Sequence, residues 1–315
     1  MQKKEKVSTQ KLRLIAILGP TASGKSSLAL QAAPILGGEI VNCDALQLHR
    51  LLEIGTAKPS REQREQIPHH LYDILDPDQY FSAGSYMVRA RKVCREIASR
   101  RRVPIVVGGT GLYCKALLEG IFEGPGRSDV TRDRLREVAR KKGTEYLYGL
   151  LKKKDPEAGK RIESGDLIRI IRALEIYFTT GKRISDLQPQ RVPLEGFAIR
   201  KIGLNLPRSI LYDRINRRVA EMFGAGLIEE TQELLASGYS SDCKGFEALG
   251  YRQAVAVLRG ELTRKIAIEL TQRDTRRYAK RQMTWFRREP GVCWISDPGE
   301  DRLALEKLLQ LVQRG

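Results

Sequence analysis

The sequence predicts an α/β fold, a mostly parallel sheet with crossover helices, interrupted by an inserted all-helical domain. Three observations carry this. An apolar run at residues 14–18 (LIAIL) leads into GPTASGKS at residues 19–26 and then into helix formers. Two more strand-like runs, 39–43 and 103–107, follow with a helical pattern between them. Strand character then disappears across 127–182 and returns at 197.

The first run has the length and β-branched content of a buried strand, and residues 25–33 place apolar positions at helical spacing. Between them Gly19, Gly24, Lys25 and Ser26 satisfy G-x-x-x-x-G-K-[ST]. Glycines let such a loop curl until its N–H groups face phosphate oxygens, with the positive end of the next helix behind them. The candidate phosphate-binding residues are therefore Gly19, Pro20, Thr21, Ala22, Ser23, Gly24, Lys25 and Ser26. Lys25 adds a mobile charge, and the Ser26 hydroxyl is placed to ligate Mg2+ on the phosphates. The core is thus expected to be P-loop NTPase-like.

The second strand stops on Asp44, residues 85–101 read as a crossover helix, and the third strand stops on Gly108-Gly109-Thr110-Gly111. A β-α-β-α-β order implies parallel pairing. Ligands of such sheets sit beyond the carboxyl ends of the strands, so Asp44 and residues 108–111 are expected beside the phosphate loop. Residues 127–182 are rich in charge and read as short helices, for instance 130–142 and 166–180. Strand character at 197–206 ends at Pro207, and long helical patterns fill 208–236 and 262–288. The expected domains are 1–120, the first part of the core; 121–195, the helical insertion; and 196–315, the second part of the core.

A chain of 315 residues with 41% apolar content supports a real core. Its 56 Lys and Arg against 38 Asp and Glu give a net charge of +18, which points to a polyanionic partner. Five cysteines without a C-x-x-C pair suggest neither a disulfide framework nor a zinc ribbon, and reduced thiols in a cytosol are the simplest reading. The basic start, MQKKEKVSTQKLR, leads into a strand-like run and not an apolar leader, and no apolar run of about 18 residues occurs. The protein is expected to be cytoplasmic and to have no membrane contact.

Hydrolases with this loop carry an apolar strand ending in Asp that holds magnesium and orients water. Here the most apolar strand ends in Gly-Gly-Thr-Gly, which leaves Asp44 free for another task. Beside a bound phosphate ester it can take a proton from an incoming nucleophile. Judged alone, it is an ordinary strand-end carboxylate.

Taken together, GPTASGKS, Asp44-Ala45-Leu46-Gln47, residues 54–59 (IGTAKP), 68–71 (PHHL), 108–113 (GGTGLY) and 249–253 (LGYRQ) resemble the tRNA dimethylallyltransferases, the bacterial tRNA isopentenyltransferases. The resemblance runs from about residue 13 to 288 in the family's order. It implies transfer of a dimethylallyl group from dimethylallyl diphosphate to the exocyclic amine of adenosine 37 of tRNA, with diphosphate released. It also implies that the insertion grips the anticodon stem-loop. Lys25 and the N–H groups of 21–26 would bind the diphosphate, Thr21 its bridging oxygen and Ser26 magnesium. Asp44 would accept the proton and Gln47 would read the adenine edge. Contacts with tRNA would come from Asp44, Ala45, Leu46 and Gln47, from Thr110 and Arg132, from Ile168, Arg169, Ile170, Ile171 and Arg172, and from Ala248, Leu249, Gly250, Tyr251, Arg252 and Gln253. An arginine from the helix bearing Arg214 and Arg218 would reach the phosphates, and Arg218 is favoured. Catalytic roles thus fall to Asp44, Thr21 and Arg218, in a monomer.

Many members have Ser where this chain has Ala45, which removes one hydroxyl. Residues 272–288 put Arg273, Arg276 or Arg277, Lys280 and Arg288 near one helix face, suited to RNA phosphates. Tyr278, Trp285 and Phe286 are stacking candidates, though aromatics at helical spacing are more often core. His69 and His70 are adjacent on an extended segment and point opposite ways, which argues against a metal pair. A kinase moving the γ-phosphoryl of ATP would explain the loop but neither the charge nor LGYRQ. An isopentenyltransferase acting on free adenine nucleotides shares the core and lacks a reason for the basic insertion.

Overall fold

The computed structural model describes residues 11–122 and 124–313. The basic start of the chain, residues 1–10, lies outside the described residues. The chain divides into two compact units, one made of residues up to 117 together with those from 195 onward, the other of Leu118–Leu194.

The first unit opens with β1 (Leu12–Leu18), α1 (Lys25–Leu36), β2 (Gly38–Asn42), the short α2 (Arg61–Gln66), the two-residue β3 (His69–His70), α3 (Ala83–Ser99), β4 (Val103–Gly108) and α4 (Gly111–Glu119). Ser82 caps α3 by accepting the Ser85 N–H at 2.9 Å, so the helix begins two residues before its apolar pattern does.

The second unit is helical: α5 (Asp129–Lys142), α6 (Thr144–Lys154), α7 (Pro156–Arg161), α8 (Leu167–Thr180) and α9 (Ile184–Leu187). Leu135, Leu147, Leu151, Ile170, Ile171 and Leu174 form its core. At its centre the carboxylate of Glu175 is fully buried. Arg132 grips it with Nε and Nη2, both at 2.9 Å, Arg172 with Nη1 at 2.7 Å, and the Ser128 N–H donates at 2.7 Å. Desolvation alone would raise this carboxyl, but the four donors outweigh it and hold it down at about 2.

The chain returns through β5 (Phe197–Leu204), α10 (Arg208–Gly224), α11 (Leu227–Ala236), α12 (Tyr251–Leu258), α13 (Arg264–Phe286), β6 (Val292–Ile295) and α14 (Arg302–Gln313). The helical pattern at 208–236 is broken at Gly226, whose φ of 100° no helix tolerates. All pairs in the sheet are parallel, in the order β3-β2-β4-β1-β5-β6. Leu18 stands opposite Gly108 and Gly203, and Asn42 opposite Val107. The carboxyl ends of β1, β2 and β4 therefore share one edge, and the loops that follow them must meet there. Ile15, Ile17, Ile40, Ile105 and Ile202 pack under α1 and α14 on one face.

Candidate active site

The phosphate loop is the turn from β1 to α1, and its glycines are required by contact. Gly19 has φ +148°, and a Cβ there would lie 2.9 Å from the Leu204 carbonyl. At Gly24, φ +89°, a Cβ would lie 2.5 Å from the Gly299 nitrogen. The Gly299 N–H donates to the Ser23 carbonyl at 3.1 Å, so the turn before α14 closes on the loop from outside. α1 starts at Lys25 with no side-chain cap, which leaves its first N–H groups for a ligand.

Lys25 Nζ donates to the Pro20 carbonyl at 2.6 Å. It lines a cavity of ≈ 740 Å³ with Ser26, Asp44, Arg214, Arg217 and Arg218. Desolvation pushes its ammonium down to about 8; Asp44 opposes this and Arg218 adds to it. Arg218 Nη1 donates to the Thr21 hydroxyl at 3.1 Å. Arg214 holds the outside of the loop, Nε to the Ala22 carbonyl at 2.7 Å, and pairs with Glu300. Of the two arginines weighed from the sequence, Arg218 is thus the one joined to a catalytic candidate.

Asp44 is set by β2. The Asn42 amide donates to the Asp44 and Leu71 carbonyls at 3.0 and 2.9 Å, and its Oδ1 accepts the Asp44 N–H at 2.8 Å. Asp44 Oδ1 then accepts the Leu46 N–H at 3.0 Å. Gly108 allows this approach: a Cβ there would lie 2.0 Å from the Cys43 carbonyl. Thr110 takes the Ala45 N–H on its hydroxyl at 3.0 Å.

Gln47 donates to the Thr56 and Ala57 carbonyls at 3.1 and 3.2 Å. The segment it reaches, residues 54–59, hangs on α11 and α12. The Gly55 N–H donates to the Tyr251 hydroxyl at 3.1 Å, Tyr251 donates to Glu230, and Glu230 accepts the Ile54 N–H at 3.1 Å. Burial raises the Glu230 carboxyl above its usual range.

A second cavity, of ≈ 730 Å³, is lined by Ala45, Leu46, Lys244, Ala248, Leu249, Arg252, Arg273, Arg277, Tyr278 and Arg281. Thr21, Ala22, Asp44, Thr56, Arg218 and Met222 line both cavities. One holds the phosphate loop, the other the basic and aromatic residues, and Asp44 stands in the wall they share.

Other candidates fall elsewhere. Tyr251 and Gln253 are buried; Gln253 accepts the Gly250 N–H at 3.0 Å, and only Arg252 of that trio is exposed. In the helical unit Ile170 and Ile171 are core, Arg132 and Arg172 hold Glu175, and Ile168 and Arg169 face outward. Of the aromatic candidates, Phe286 is buried, Trp285 packs on Gly111 and Tyr278 lines the second cavity. His69 Nδ1 contacts the Ile67 carbonyl and His70 Nε2 contacts Glu39, and no group of three metal-ligating side chains occurs among the described residues. Burial pushes the Cys43 and Cys94 thiols up to about 12, which leaves them inert.

Sequence reasoning missed Gln282. Its Oε1 accepts the Thr21 N–H at 2.8 Å and its Nε2 donates to the Gly109 carbonyl at 2.9 Å. The available signal was an uncharged polar residue on the same helix face as Ala279 and Phe286, and a buried amide must find partners.

A family model described as IPP transferase matches residues 47–289. A tRNA dimethylallyltransferase of Koribacter versatilis is 50% identical over 301 residues, covering 95% of this chain and 98% of that protein. Among solved structures, the tRNA isopentenylpyrophosphate transferase of Bacillus halodurans has a TM-score of 0.70 at 37% identity, covering 96% of this chain and 98% of that one. A eukaryotic dimethylallyltransferase solved while acting on tRNA has a TM-score of 0.77 at 25% identity, covering 95% of this chain and 78% of that one. A phosphate loop facing a strand-end carboxylate across Thr21 and Arg218 agrees with these matches, and the chain belongs to the tRNA dimethylallyltransferase family.

Proposed function

We propose that this enzyme transfers a dimethylallyl group from dimethylallyl diphosphate to N6 of adenosine 37 in tRNA and releases diphosphate. The observation that carries this reading is the position of Asp44 in the wall between the two cavities. The diphosphate occupies the first, against Lys25 and the N–H groups that open α1. The base arrives through the second, past Tyr278, Arg252, Arg273, Arg277 and Arg281. Leaving group and nucleophile thus meet at Asp44, which lines both cavities.

In the reaction the allylic carbon–oxygen bond breaks, the adenine amine forms the new carbon–nitrogen bond, and the electron pair leaves on diphosphate. Charge grows on the bridging oxygen, where the Thr21 hydroxyl, held by Arg218, is placed to donate. Asp44 takes the proton that the amine loses. Gln47 reads the ring edge with the carbonyl oxygen its own amide leaves free of the 54–59 segment. The Thr21 N–H is already given to Gln282, so the loop's donors to the ligand begin at Ala22. A divalent cation, Mg2+ in this reading, supplies charge neutralisation to the departing diphosphate, and the Ser26 hydroxyl beside Lys25 is a hard oxygen donor that suits it.

A base next to an anticodon must leave its stack to enter the second cavity, at a cost of a few kcal/mol that phosphate contacts offset. Arg273, Arg277 and Arg252, gathered around Asp274, present those contacts on the core. In the helical unit Ile168 and Arg169 are the outward residues for the anticodon stem-loop. Among the described residues no helix is long and apolar enough to cross a membrane, and we place the enzyme with its tRNA in the cytoplasm.

The test is transfer of label from dimethylallyl diphosphate to tRNA whose adenosine 37 is unmodified, with magnesium present. Labelled tRNA without consumption of ATP supports the reading. Label on free AMP in preference to tRNA, or ATP turnover alone, overturns it.

A further inference from the structure

We propose that Gln282 is a positioning residue for prenyl transfer, setting the separation between the phosphate loop and the acceptor base. This deepens the transfer reading above and rests on it. Gln282 is 5% exposed, and its one amide joins the first turn after β1, at the Thr21 N–H, to the turn after β4, at the Gly109 carbonyl. The β4 turn in turn carries the acceptor side: the Thr110 N–H donates to the Cys43 carbonyl at 3.2 Å, and the Thr110 hydroxyl takes the Ala45 N–H. Asp44 lies between those two contacts. The fit is tight, since a Cβ on Gly109 would sit 2.2 Å from Gln282 Nε2. Tyr278, on the wall of the second cavity, has Thr110 and Gln282 as close polar neighbours.

The reacting carbon lies between a leaving oxygen and an incoming nitrogen, so both ends must be held near contact. A misplacement of about 1 Å costs about 10²-fold in rate. The link needs an acceptor and a donor on one group. Leucine supplies neither. A carboxylate accepts from Thr21, cannot donate to Gly109, and sets a negative charge beside the diphosphate. A protonated carboxyl accepts through its carbonyl and donates through its hydroxyl, as the amide does.

The experiment compares Gln282→Leu and Gln282→Glu with the wild type. Transfer by the wild type checks the underlying reading, and the variant-to-wild-type ratios check Gln282. Affinity for inorganic diphosphate tests the loop without any transfer. Gln282→Leu is expected to lose about 10²-fold in kcat and to bind diphosphate more weakly, while tRNA affinity and the circular-dichroism spectrum stay unchanged. The kcat ratio of Gln282→Glu to wild type is expected to rise as pH falls from about 8 to about 6, as the carboxyl protonates. Wild-type kcat and diphosphate affinity in Gln282→Leu overturn the proposal, as does a Gln282→Glu ratio that is flat with pH in folded protein. Should Gln282→Leu not fold, the Gln282→Glu ratio decides. Failure of the wild type to modify tRNA overturns the transfer reading instead, and the diphosphate affinities then decide whether Gln282 shapes the loop.

Discussion

Arg218 donates from Nη1 to the hydroxyl of Thr21 at 3.1 Å, a contact between residues 197 positions apart. The hydroxyl can therefore offer its own proton only to a second partner, and Thr21 lines the cavity that also holds Lys25 and Asp44. Burial pushes the guanidinium down and Asp44 opposes this, so the arginine keeps its charge beside the loop. Arg218→Lys removes the planar fork and lengthens the reach to Thr21. Its kcat is expected to fall about 10²-fold, the usual effect of losing one aligned donor to developing charge, with tRNA affinity unchanged. Single-turnover transfer and filter binding separate the two quantities.

Lys25 makes the reaction sensitive to alkaline pH. With its ammonium pushed down to about 8, the free enzyme loses this charge as pH rises through that value. A bound diphosphate favours the protonated form, so binding above pH 8 takes up a proton. The kcat/KM for dimethylallyl diphosphate is expected to fall tenfold per pH unit well above 8, and calorimetry in buffers of different ionisation enthalpy should register proton uptake there. Unchanged kcat/KM from pH 7 to pH 10 would contradict the assignment.

Tyr251→Phe should loosen the 54–59 segment. The change leaves the Gly55 N–H without its acceptor and Glu230 Oε1 without the Tyr251 donor, a cost of about 2 kcal/mol for buried groups, while Glu230 Oε2 keeps the Ile54 N–H. The ring, which packs against Gly55, is retained. Chemical denaturation should show the loss, and KM for tRNA should rise because the Thr56 and Ala57 carbonyls that orient Gln47 move with the segment.

The helical unit carries an acid-sensitive centre. Glu175 is held at about 2 in the folded protein against about 4.5 unfolded, so its contribution is complete above pH 4.5 and is lost as pH falls towards 2. Glu175→Ala at neutral pH leaves Arg132 and Arg172 without their shared carboxylate and should destabilise by about 3 kcal/mol. Thermal melts from pH 7 to pH 3 should fall more steeply for the wild type than for the variant.

β1, β2 and β4 were legible because each is a short, mostly apolar run closed by a turn residue, whereas β3 is only His69 and His70. The phosphate loop and Asp44 were legible because chemistry of that kind lies in contiguous sequence. β6 and α14 were not read: β6 is four residues long and held by pairing with β5, while α14 carries a clear apolar stripe through Ala304, Leu308 and Val312, which packs with α1, that the sequence reading passed over. Gln282 escaped for the opposite reason. It sits among Arg, Lys and aromatic residues that drew the reading towards RNA, while its partners, Thr21 and Gly109, are 261 and 173 positions away. Residues 168–172 form a contiguous stretch in sequence, but helical geometry sends Ile170 and Ile171 inward and leaves Ile168 and Arg169 outside.

The most direct test of the account is single-turnover prenyl transfer by Asp44→Asn. This variant keeps the acceptor oxygen that takes the Leu46 N–H and loses the capacity to receive a proton, together with the negative charge that faces Lys25 and Arg218. The expected result is transfer slowed by about 10³- to 10⁴-fold with tRNA and diphosphate affinities within a few-fold of wild type. Transfer at the wild-type rate by the folded variant would contradict it.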